Sequence, residues 1–305
     1  MFFSGQREEK IKRLHHQMVD RLRREGYLKE QELEQAFKKV PRHLFIPDES
    51  PKKAYQSRAV NLIPGVSSIS QPQVVAVMLE GLSLKPGMKV LEVGTASGYN
   101  AALMAEIVSQ PALVYTMEYV EKMVEKARSN LKEAGYQDVN LIQGDGSLGY
   151  PPGAPFDRII ITASSYQLPP PLIDQLADPG RLVLPYNFYD LISLLLSLKV
   201  VEGEMKIDIF GFPVVFVPLQ GRSGEPEADL SNYKGDIYHY SSAKGIELQG
   251  KEGIGLMLTF ISEHQQNELQ SSRQTIRRWE EAGRPKRDDF SLCLDQGRVL
   301  VKAEY

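Results

Sequence analysis

The segment Lys89–Tyr99, KVLEVGTASGY, constrains the fold of this chain more than any other. Three of the four residues in Val90–Val93 are apolar and predict a short buried strand, and Gly94 and Gly98 predict a tight turn after it. The mostly small and apolar residues 101–108 predict a helix behind the turn. A strand that enters a helix through glycines is typical of a doubly wound nucleotide-binding sheet, where the backbone can approach a ligand and the helix N-terminus offers free N–H groups.

Acidic residues accompany this motif at two strand ends. Glu92 precedes the turn, and Glu118 ends a second predicted strand, Leu113–Glu118, about 20 residues beyond the turn. A carboxylate there can accept hydrogen bonds from both hydroxyls of a ribose, and a solvated strand-end glutamate is the alternative. A third predicted strand, Val139–Gln143, leads into Gly144–Gly146. The acid between these two glycines is Asp145, and its carboxylate and the nearby backbone amides can turn toward an adenine edge.

Strands and helices alternate along the middle of the chain, which predicts an α/β fold. Because the predicted strands are almost continuously apolar, the sheet is expected to be mostly parallel and covered on both faces. Two consecutive strands near the end of this region predict an antiparallel edge. The remaining elements are predicted as strands at 156–162, 180–185, 191–201 and 205–217 and helices at 120–134 and 169–177.

Two amphipathic helices, at about 6–26 and 29–40, are predicted to form an N-terminal helical cap. The segment Ile63–Pro72 that follows contains several serines and two prolines, so an irregular loop is predicted there rather than a strand. A helix is expected to begin after Pro72. The serine hydroxyls can line the mouth of the nucleotide site or cap that helix, and both roles can hold together.

Composition excludes several classes of protein. The formal net charge of −3 gives no bulk electrostatic reason to bind nucleic acid or a membrane surface. A single cysteine, Cys293, excludes an intramolecular disulfide and a Cys-rich metal site, and no metal is expected. The charged N-terminus does not resemble a secretory signal, and the most apolar run, Leu191–Leu198, is too short to span a bilayer. A cytoplasmic location is therefore expected.

With these motifs placed, the chain resembles the class I S-adenosylmethionine-dependent methyltransferases, and more specifically the protein-L-isoaspartate O-methyltransferases. The loop Ser68–Pro72, SISQP, separates this family from other methyltransferases better than the glycine turn does. The resemblance extends in consistent order over residues 1–221. The matching segments are Val40–Pro47, Ser68–Pro72, Leu84–Gly94, Gly144–Gly149, Ala154–Arg158 and Phe216–Leu219.

The resemblance implies a Rossmann-like methyltransferase fold and S-adenosyl-L-methionine as cofactor. It places Ser70 at the acceptor carboxyl as a catalytic residue, with Ser68 beside it. A peptide carboxylate is already ionised at pH 7, so the enzyme needs alignment and dehydration of this group rather than a strong base. The implied cofactor contacts are Glu92, Gly94, Thr95, Ala96, Ser97, Gly98, Glu118, Asp145 and Gly146.

This sequence departs from the family pattern in three important places. Ala96 stands where the family mostly has glycine, and the chain continues to Tyr305 although repair enzymes usually end near Gly221. A third departure is the segment Pro64–Ser67 before the serine loop, which differs from the family's usual glycine- and glutamine-rich version, so the acceptor loop is expected to have a different shape. We expect the chain to divide into three parts: an N-terminal helical cap with the acceptor loop at 1–83, a cofactor-binding core at 84–221, and a small α+β C-terminal extension at 222–305. Within the extension we expect an initial linker, strands near 244–249 and 254–260, a helix over 262–282 with Trp279, and a hairpin at 290–301.

Extended relatives of this family occur with ribosomally made peptide natural products, and the loop and the tail of this chain look closer to that branch. The main hypothesis is therefore a carboxyl methyltransferase that esterifies an aspartate in a precursor peptide and promotes succinimide formation. Repair of L-isoaspartyl residues in proteins is the alternative, and a non-catalytic binding module with the cofactor fold is a further one. The expected partner is a peptide or protein, with no nucleic acid and no membrane, and the oligomeric state stays open.

Overall fold

A computed structural model describes residues 2–46, 50–189, 192–222, 290–295 and 298–303. The chain starts with helices α1 (Phe2–Arg24), α2 (Gln31–Lys39) and the short α3 (Pro51–Ala54). One face of α1 is buried through residues at helical spacing, including Met18 and Leu22. The two predicted cap helices are therefore confirmed. Within the described residues, no helix is both long and apolar enough to cross a membrane.

A β-hairpin lies where an irregular loop was predicted, and that prediction was wrong. Strand β1 (Val60–Ile63) pairs antiparallel with β2 (Ser67–Ile69). The connecting turn contains Gly65 at a φ of 72°, a conformation that glycine adopts without a side-chain clash. Ser67 and Ile69 are buried. Packing of this strand against the core therefore outweighs the turn-forming tendency of the serines.

Helix α4 (Pro72–Leu82) follows the hairpin directly, as predicted. Pro72 stands in the first helical turn, where its missing N–H would have no partner anyway. The helix ends at Ser83, which adopts a left-handed φ of 53°. Hairpin and helix together set the position of Ser70, which lies between them.

A seven-stranded sheet forms the centre of the molecule. Its strands and helices follow in the chain as β3 (Val90–Val93), α5 (Tyr99–Val108), β4 (Val114–Glu118), α6 (Glu121–Glu133), β5 (Asn140–Gln143), β6 (Phe156–Ile161), α7 (Pro170–Asp174), β7 (Leu176–Tyr189), β8 (Ile192–Val201) and β9 (Glu204–Val215). The spatial order is β5-β4-β3-β6-β7-β8-β9. The pairs from β5 to β7 are parallel, and β7-β8 and β8-β9 are antiparallel. The predicted mostly parallel sheet with an antiparallel edge is confirmed.

Two elements differ in length from their predicted bounds. Helix α7 has only five residues, although a helix was predicted over 169–177. Strand β7 starts at Leu176, well before the predicted Gly180, because Leu176 already pairs with Phe156 of β6. The backbone N–H of Phe156 also donates to the carbonyl of Gln175, at 2.9 Å. Pairing with the neighbouring strand therefore draws the chain into the sheet before a longer helix can form.

Alternate residues of the central strands pack into two hydrophobic cores, one on each face of the sheet. Val90 belongs to the same core as the buried residues of α1, α2, α4 and α5, whereas Leu91 and Val93 belong to the other. The helical cap therefore shares a continuous core with the sheet.

The end of the chain forms the predicted hairpin, in which β10 (Phe290–Asp295) pairs antiparallel with β11 (Arg298–Ala303). Leu292 packs against the second core. The linker, the strands near 244–249 and 254–260 and the helix over 262–282 with Trp279 fall outside the described residues.

Candidate active site

A cleft that is partly open to solvent lies at the carboxyl ends of β3, β4 and β6. After β3 the chain winds outward to β4 and β5, and it then returns to add β6 on the opposite side of β3. The cleft is thus at the switch point of the sheet, where open α/β sheets bind ligands. Of the residues expected from the sequence, those lining it are Ser68, Ser70, Glu92, Gly94, Thr95, Ala96, Ser97, Glu118 and Gly146.

The turn after β3 requires glycine at position 94, because the backbone has a positive φ there and because a side chain would collide with a neighbour. Gly94 has a φ of 101°, and a Cβ on it would lie 2.4 Å from Oγ1 of Thr162. That hydroxyl donates to the carbonyl of Gly94 at 2.6 Å. The N–H of Gly94 donates to the carbonyl of Met117 at the end of β4, at 2.9 Å. The turn is therefore fixed from both neighbouring strands and presents bare backbone to the cleft.

Glu118 is tied to the same turn by backbone hydrogen bonds. Its Oε2 accepts from the N–H of Ala96 at 2.9 Å, and its Oε1 accepts from the N–H of Val120 at 3.0 Å. The residue is 8% exposed and lines the cleft. Because a carboxylate oxygen has more than one acceptor direction, each oxygen can still accept a hydrogen bond from a ligand hydroxyl.

Ala96 adopts the left-handed conformation, with a φ of 49°. A residue with a Cβ pays about 1–2 kcal/mol there, and glycine does not. Part of this gain is lost because glycine is freer in the unfolded chain. We expect Ala96→Gly to raise the free energy of unfolding by about 0.5–1 kcal/mol, measured by urea denaturation. Ala105→Gly, inside α5, is the matched control and should lower it by about 1 kcal/mol. A loss of stability in Ala96→Gly would contradict the strain argument.

Glu92 lies at the centre of a buried hydrogen-bond network. It is fully buried, and it accepts from Nδ2 of Asn100 at 2.8 Å and from Oγ1 of Thr116 at 2.6 Å. The hydroxyl of Thr95 lies 2.6 Å from that of Thr116. Since Thr116 donates to the carboxylate, Thr95 donates to Thr116. Burial raises the pKa of Glu92 from 4.5 to about 7; the hydrogen bonds from Thr116 and Asn100 oppose this shift, and the charge of Glu118 adds to it.

This raised pKa predicts a pH-dependent stability. Between pH 4.5 and pH 7, Glu92 is protonated in the folded chain and ionised in the unfolded chain, so its contribution to stability falls as pH rises. On lowering the pH from 8 to 5, the wild type should gain about 2 kcal/mol in unfolding free energy relative to Glu92→Gln. Urea denaturation of both proteins across this range measures the difference. Parallel profiles would show that Glu92 titrates normally in the folded state.

Ser68, in strand β2, and Ser70, between β2 and α4, both line the cleft. No hydrogen bond joins the Ser70 hydroxyl to another described residue, and the group lines the cleft. The backbone carbonyl of Ser70, by contrast, accepts from Nη2 of Arg42 at 2.7 Å. A fixed backbone with an uncommitted hydroxyl can donate to a ligand oxygen.

Gly98 and Asp145 do not line the cleft in the described part of the chain. Gly98 precedes α5, and a Cβ on it would contact Leu131. The carboxylate of Asp145 accepts from the N–H and hydroxyl of Ser147, at 3.0 and 2.6 Å, and from the N–H of Arg222, at 2.8 Å. These bonds direct it toward the turn at 146–148 and the end of the 216–222 segment. Of the segment Gly144–Gly146, only Gly146 lines the cleft in the described part of the chain.

Several residues that line the cleft were not predicted as site residues from the sequence. Tyr99, Asn100, Thr162 and the segment 216–220 all line the cleft. That segment is anchored by backbone bonds, with Ser164 N–H donating to the carbonyl of Val217 at 2.9 Å. The sequence signal for Asn100 is its position in the first turn of the helix that follows Glu92. Thr162 and the 216–220 segment reach the cleft only through contacts distant in sequence.

Comparison with known proteins matches this chain to one family. The family model of protein-L-isoaspartate(D-aspartate) O-methyltransferase matches residues 12–224. The protein-L-isoaspartate O-methyltransferase of Pyrococcus horikoshii is 46% identical over 207 residues, covering 68% of this chain and 92% of that protein. The enzyme of that name from Hyperthermus butylicus is 45% identical over 234 residues, covering 73% of this chain and 96% of that protein.

Two solved structures are similar in fold. One is described as a crystal structure of a putative protein-L-isoaspartate O-methyltransferase from Plasmodium falciparum in complex with S-adenosyl-L-homocysteine; its TM-score is 0.60 at 27% identity, covering 68% of this chain and 98% of that chain. The other is a protein-L-isoaspartate O-methyltransferase with a TM-score of 0.66 at 19% identity, covering 95% of this chain and 100% of that chain. With a family model matched over most of its length, the chain belongs to the protein-L-isoaspartate(D-aspartate) O-methyltransferase family.

Proposed function

We propose that this chain is an S-adenosylmethionine-dependent methyltransferase that esterifies the free carboxylate of L-isoaspartyl residues in peptides and proteins. The observation that carries the proposal is the pairing, in one cleft, of the backbone-held Glu118 carboxylate with the uncommitted hydroxyl of Ser70. The family match and relatives of the same name at about 45% identity support the choice of acceptor.

The residues present fit the cofactor of this family. Glu118 has acceptor capacity for two ribose hydroxyls, and the turn from Gly94 to Ser97 leaves room for close backbone approach. Thr95, Ala96, Gly146 and Glu92 border the same space and complete the candidate contacts. The related structure described with S-adenosyl-L-homocysteine supports this assignment. When bound, S-adenosylmethionine supplies an electrophilic methyl group.

The protein then has to hold, orient and dehydrate the acceptor carboxylate. Ser70 donates its hydroxyl hydrogen to one carboxylate oxygen, which leaves the other oxygen free to attack, and Ser68 lies two residues away on the same side of the chain. No general base is required, because the acceptor is ionised at neutral pH. The segment 216–220 covers one side of the cleft and limits access of water.

Aspartyl methylation in a dedicated precursor peptide is the second candidate. It was the main hypothesis from the sequence, and it relied on the Ser68–Pro72 loop and on the extension beyond Gly221. A protein-L-isoaspartate O-methyltransferase of similar fold covers 95% of this chain, so the length of the chain does not separate the two acceptors. A role of residues 222–305 in contacting a peptide or partner is accordingly a proposal that both acceptor hypotheses can accommodate.

The test is methyl transfer to two synthetic peptides that differ only in having L-isoaspartate or L-aspartate at one position. Mass spectrometry should show a gain of one methyl group on the isoaspartyl peptide and none on the aspartyl peptide. Transfer to the aspartyl peptide alone would favour the precursor-peptide function. Calorimetry with S-adenosyl-L-homocysteine completes the test, because a chain that binds it but methylates neither peptide would be a non-catalytic module.

A further inference from the structure

Arg42 is a fully buried cation without a carboxylate partner among the described residues. Its Nε donates to the carbonyl of Ala54 at 2.9 Å, and its Nη2 donates to the carbonyl of Ser70 at 2.7 Å. Its Nη1 is buried and has no hydrogen-bond partner among the residues that the structure describes. Buried arginines are normally paired, because an uncompensated charge in the interior is costly. The sequence singles out the segment Val40–Pro47 that carries Arg42, but the mechanism above leaves this charge unused.

The guanidinium lies directly behind the wall of the cleft. Its central carbon is 5.1 Å from the centroid of the Tyr99 ring, and the Tyr99 hydroxyl is buried without a hydrogen-bond partner in the part of the chain that the structure describes. Tyr99 and Ser70 both line the cleft, so Arg42 contacts two lining residues, one through a hydrogen bond and one through a ring face. One of the two unsatisfied donors thus belongs to a residue that lines the cleft, Tyr99, and the other to Arg42, which contacts both Tyr99 and Ser70.

The charges of the cleft explain why a cation is required there. Its lining contains two carboxylates, Glu92 and Glu118, and no lysine, arginine or histidine among the described residues. The acceptor brings in a further carboxylate, which would meet the negative charge of Glu118, and that of Glu92 where it is ionised, in a poorly solvated space. Burial lowers the pKa of Arg42 to about 10, which leaves it charged at neutral pH. A neutral donor would suffice to hold the Ser70 carbonyl, so this contact alone does not account for the charge.

We propose that Arg42 is a positioning residue that selects an anionic acceptor: its guanidinium fixes the backbone of Ser70 and supplies the positive charge that balances the acceptor carboxylate. This inference rests on the proposed function and deepens it, because it states which property of the acceptor the site recognises. A carboxylate should be held far better than the uncharged amide of the same shape.

The test compares two peptides of one sequence, one with L-isoaspartate and one with L-isoasparagine, in which the free α-carboxylate of that residue is replaced by its amide. Their affinities are measured by calorimetry in the presence of saturating S-adenosyl-L-homocysteine, for wild type, Arg42→Gln, Arg42→Lys and the control Arg181→Gln. Arg181 is a matched control because it also donates to a backbone carbonyl, that of Gly81, and it does not line the cleft. Melting temperatures and S-adenosyl-L-homocysteine affinity report separately on folding and on the cofactor side.

Wild type and Arg181→Gln should favour the carboxylate peptide by about tenfold to a hundredfold, the range expected for one charge-assisted contact. Arg42→Gln should lose this preference and bind the amide peptide as wild type does, whereas Arg42→Lys should keep the preference with a lower kcat. An equal loss of affinity for both peptides in Arg42→Gln would show a purely structural role and overturn the inference.

Two further outcomes keep the inference falsifiable if Arg42→Gln does not fold. A wild type that binds both peptides equally would overturn it, and so would an Arg42→Lys variant that folds but lacks the preference. Failure of the proposed function looks different. It would appear as absence of methyl transfer by the wild type to the isoaspartyl peptide, whereas failure of the Arg42 inference would leave that transfer intact.

Discussion

Replacement of Ser70 by alanine should lower kcat for isoaspartyl peptide methylation by about a hundredfold or more and leave the affinity for S-adenosyl-L-homocysteine unchanged. The effect is large because the Ser70 hydroxyl has no other partner among the described residues and is the donor proposed to hold the acceptor in line with the methyl group. Its backbone, held by Arg42, should stay in place in the variant. Single-turnover methyl transfer and calorimetry measure the two quantities on the same preparations.

Ser109→Ala is the matched control, since Ser109 is exposed and follows the end of α5 away from the cleft. It should keep both rate and affinity. If Ser70→Ala lost cofactor affinity as much as rate, Ser70 would belong to the cofactor side of the site. A rate within threefold of wild type would remove Ser70 from the mechanism.

Much of the fold could be predicted from the sequence because its signals are local. The alternation of apolar strands and amphipathic helices predicted a mostly parallel sheet, and the glycines at 94 and 98 predicted the turn, where both have a positive φ. The β1–β2 hairpin could not be predicted in this way. Its serines favour turns locally, and only burial of Ser67 and Ile69 against the core makes them a strand.

The candidate site shows the same division between local and distant signals. Glu118 was predicted from its distance to the turn, and the structure places both of its oxygens on backbone amides of Ala96 and Val120. The roles of Thr162 and Arg42 were not predicted. Thr162 binds the carbonyl of Gly94, 68 positions away in the chain, and Arg42 binds that of Ser70, 28 positions away. The hydrophobic periodicity of a sequence does not indicate contacts between residues so far apart. Asp145 was expected at the adenine edge, but Ser147 and Arg222, which hold its carboxylate, become neighbours only through the turn and the 216–222 segment.

Replacement of Glu118 by alanine should weaken S-adenosyl-L-homocysteine binding by at least about a hundredfold, because two charge-assisted hydrogen bonds to ligand hydroxyls would be lost. The variant also leaves the N–H groups of Ala96 and Val120 without their present acceptor, so the turn loses a support from β4. Calorimetry at pH 7.5 measures the affinity. Glu118→Gln keeps one acceptor oxygen but no charge, so its affinity should lie between those of wild type and Glu118→Ala.

Glu121→Gln provides the control for loss of a nearby negative charge, since Glu121 is exposed at the start of α6. It should bind S-adenosyl-L-homocysteine as wild type does. The rate of methyl transfer at saturating cofactor separates the two sides of the site: Glu118→Ala should recover most of its kcat when the cofactor concentration is raised, whereas Ser70→Ala should not. If Glu118→Ala bound the ligand within twofold of wild type, the ribose assignment would be wrong, and the carboxylate would serve only to hold the turn between β3 and α5.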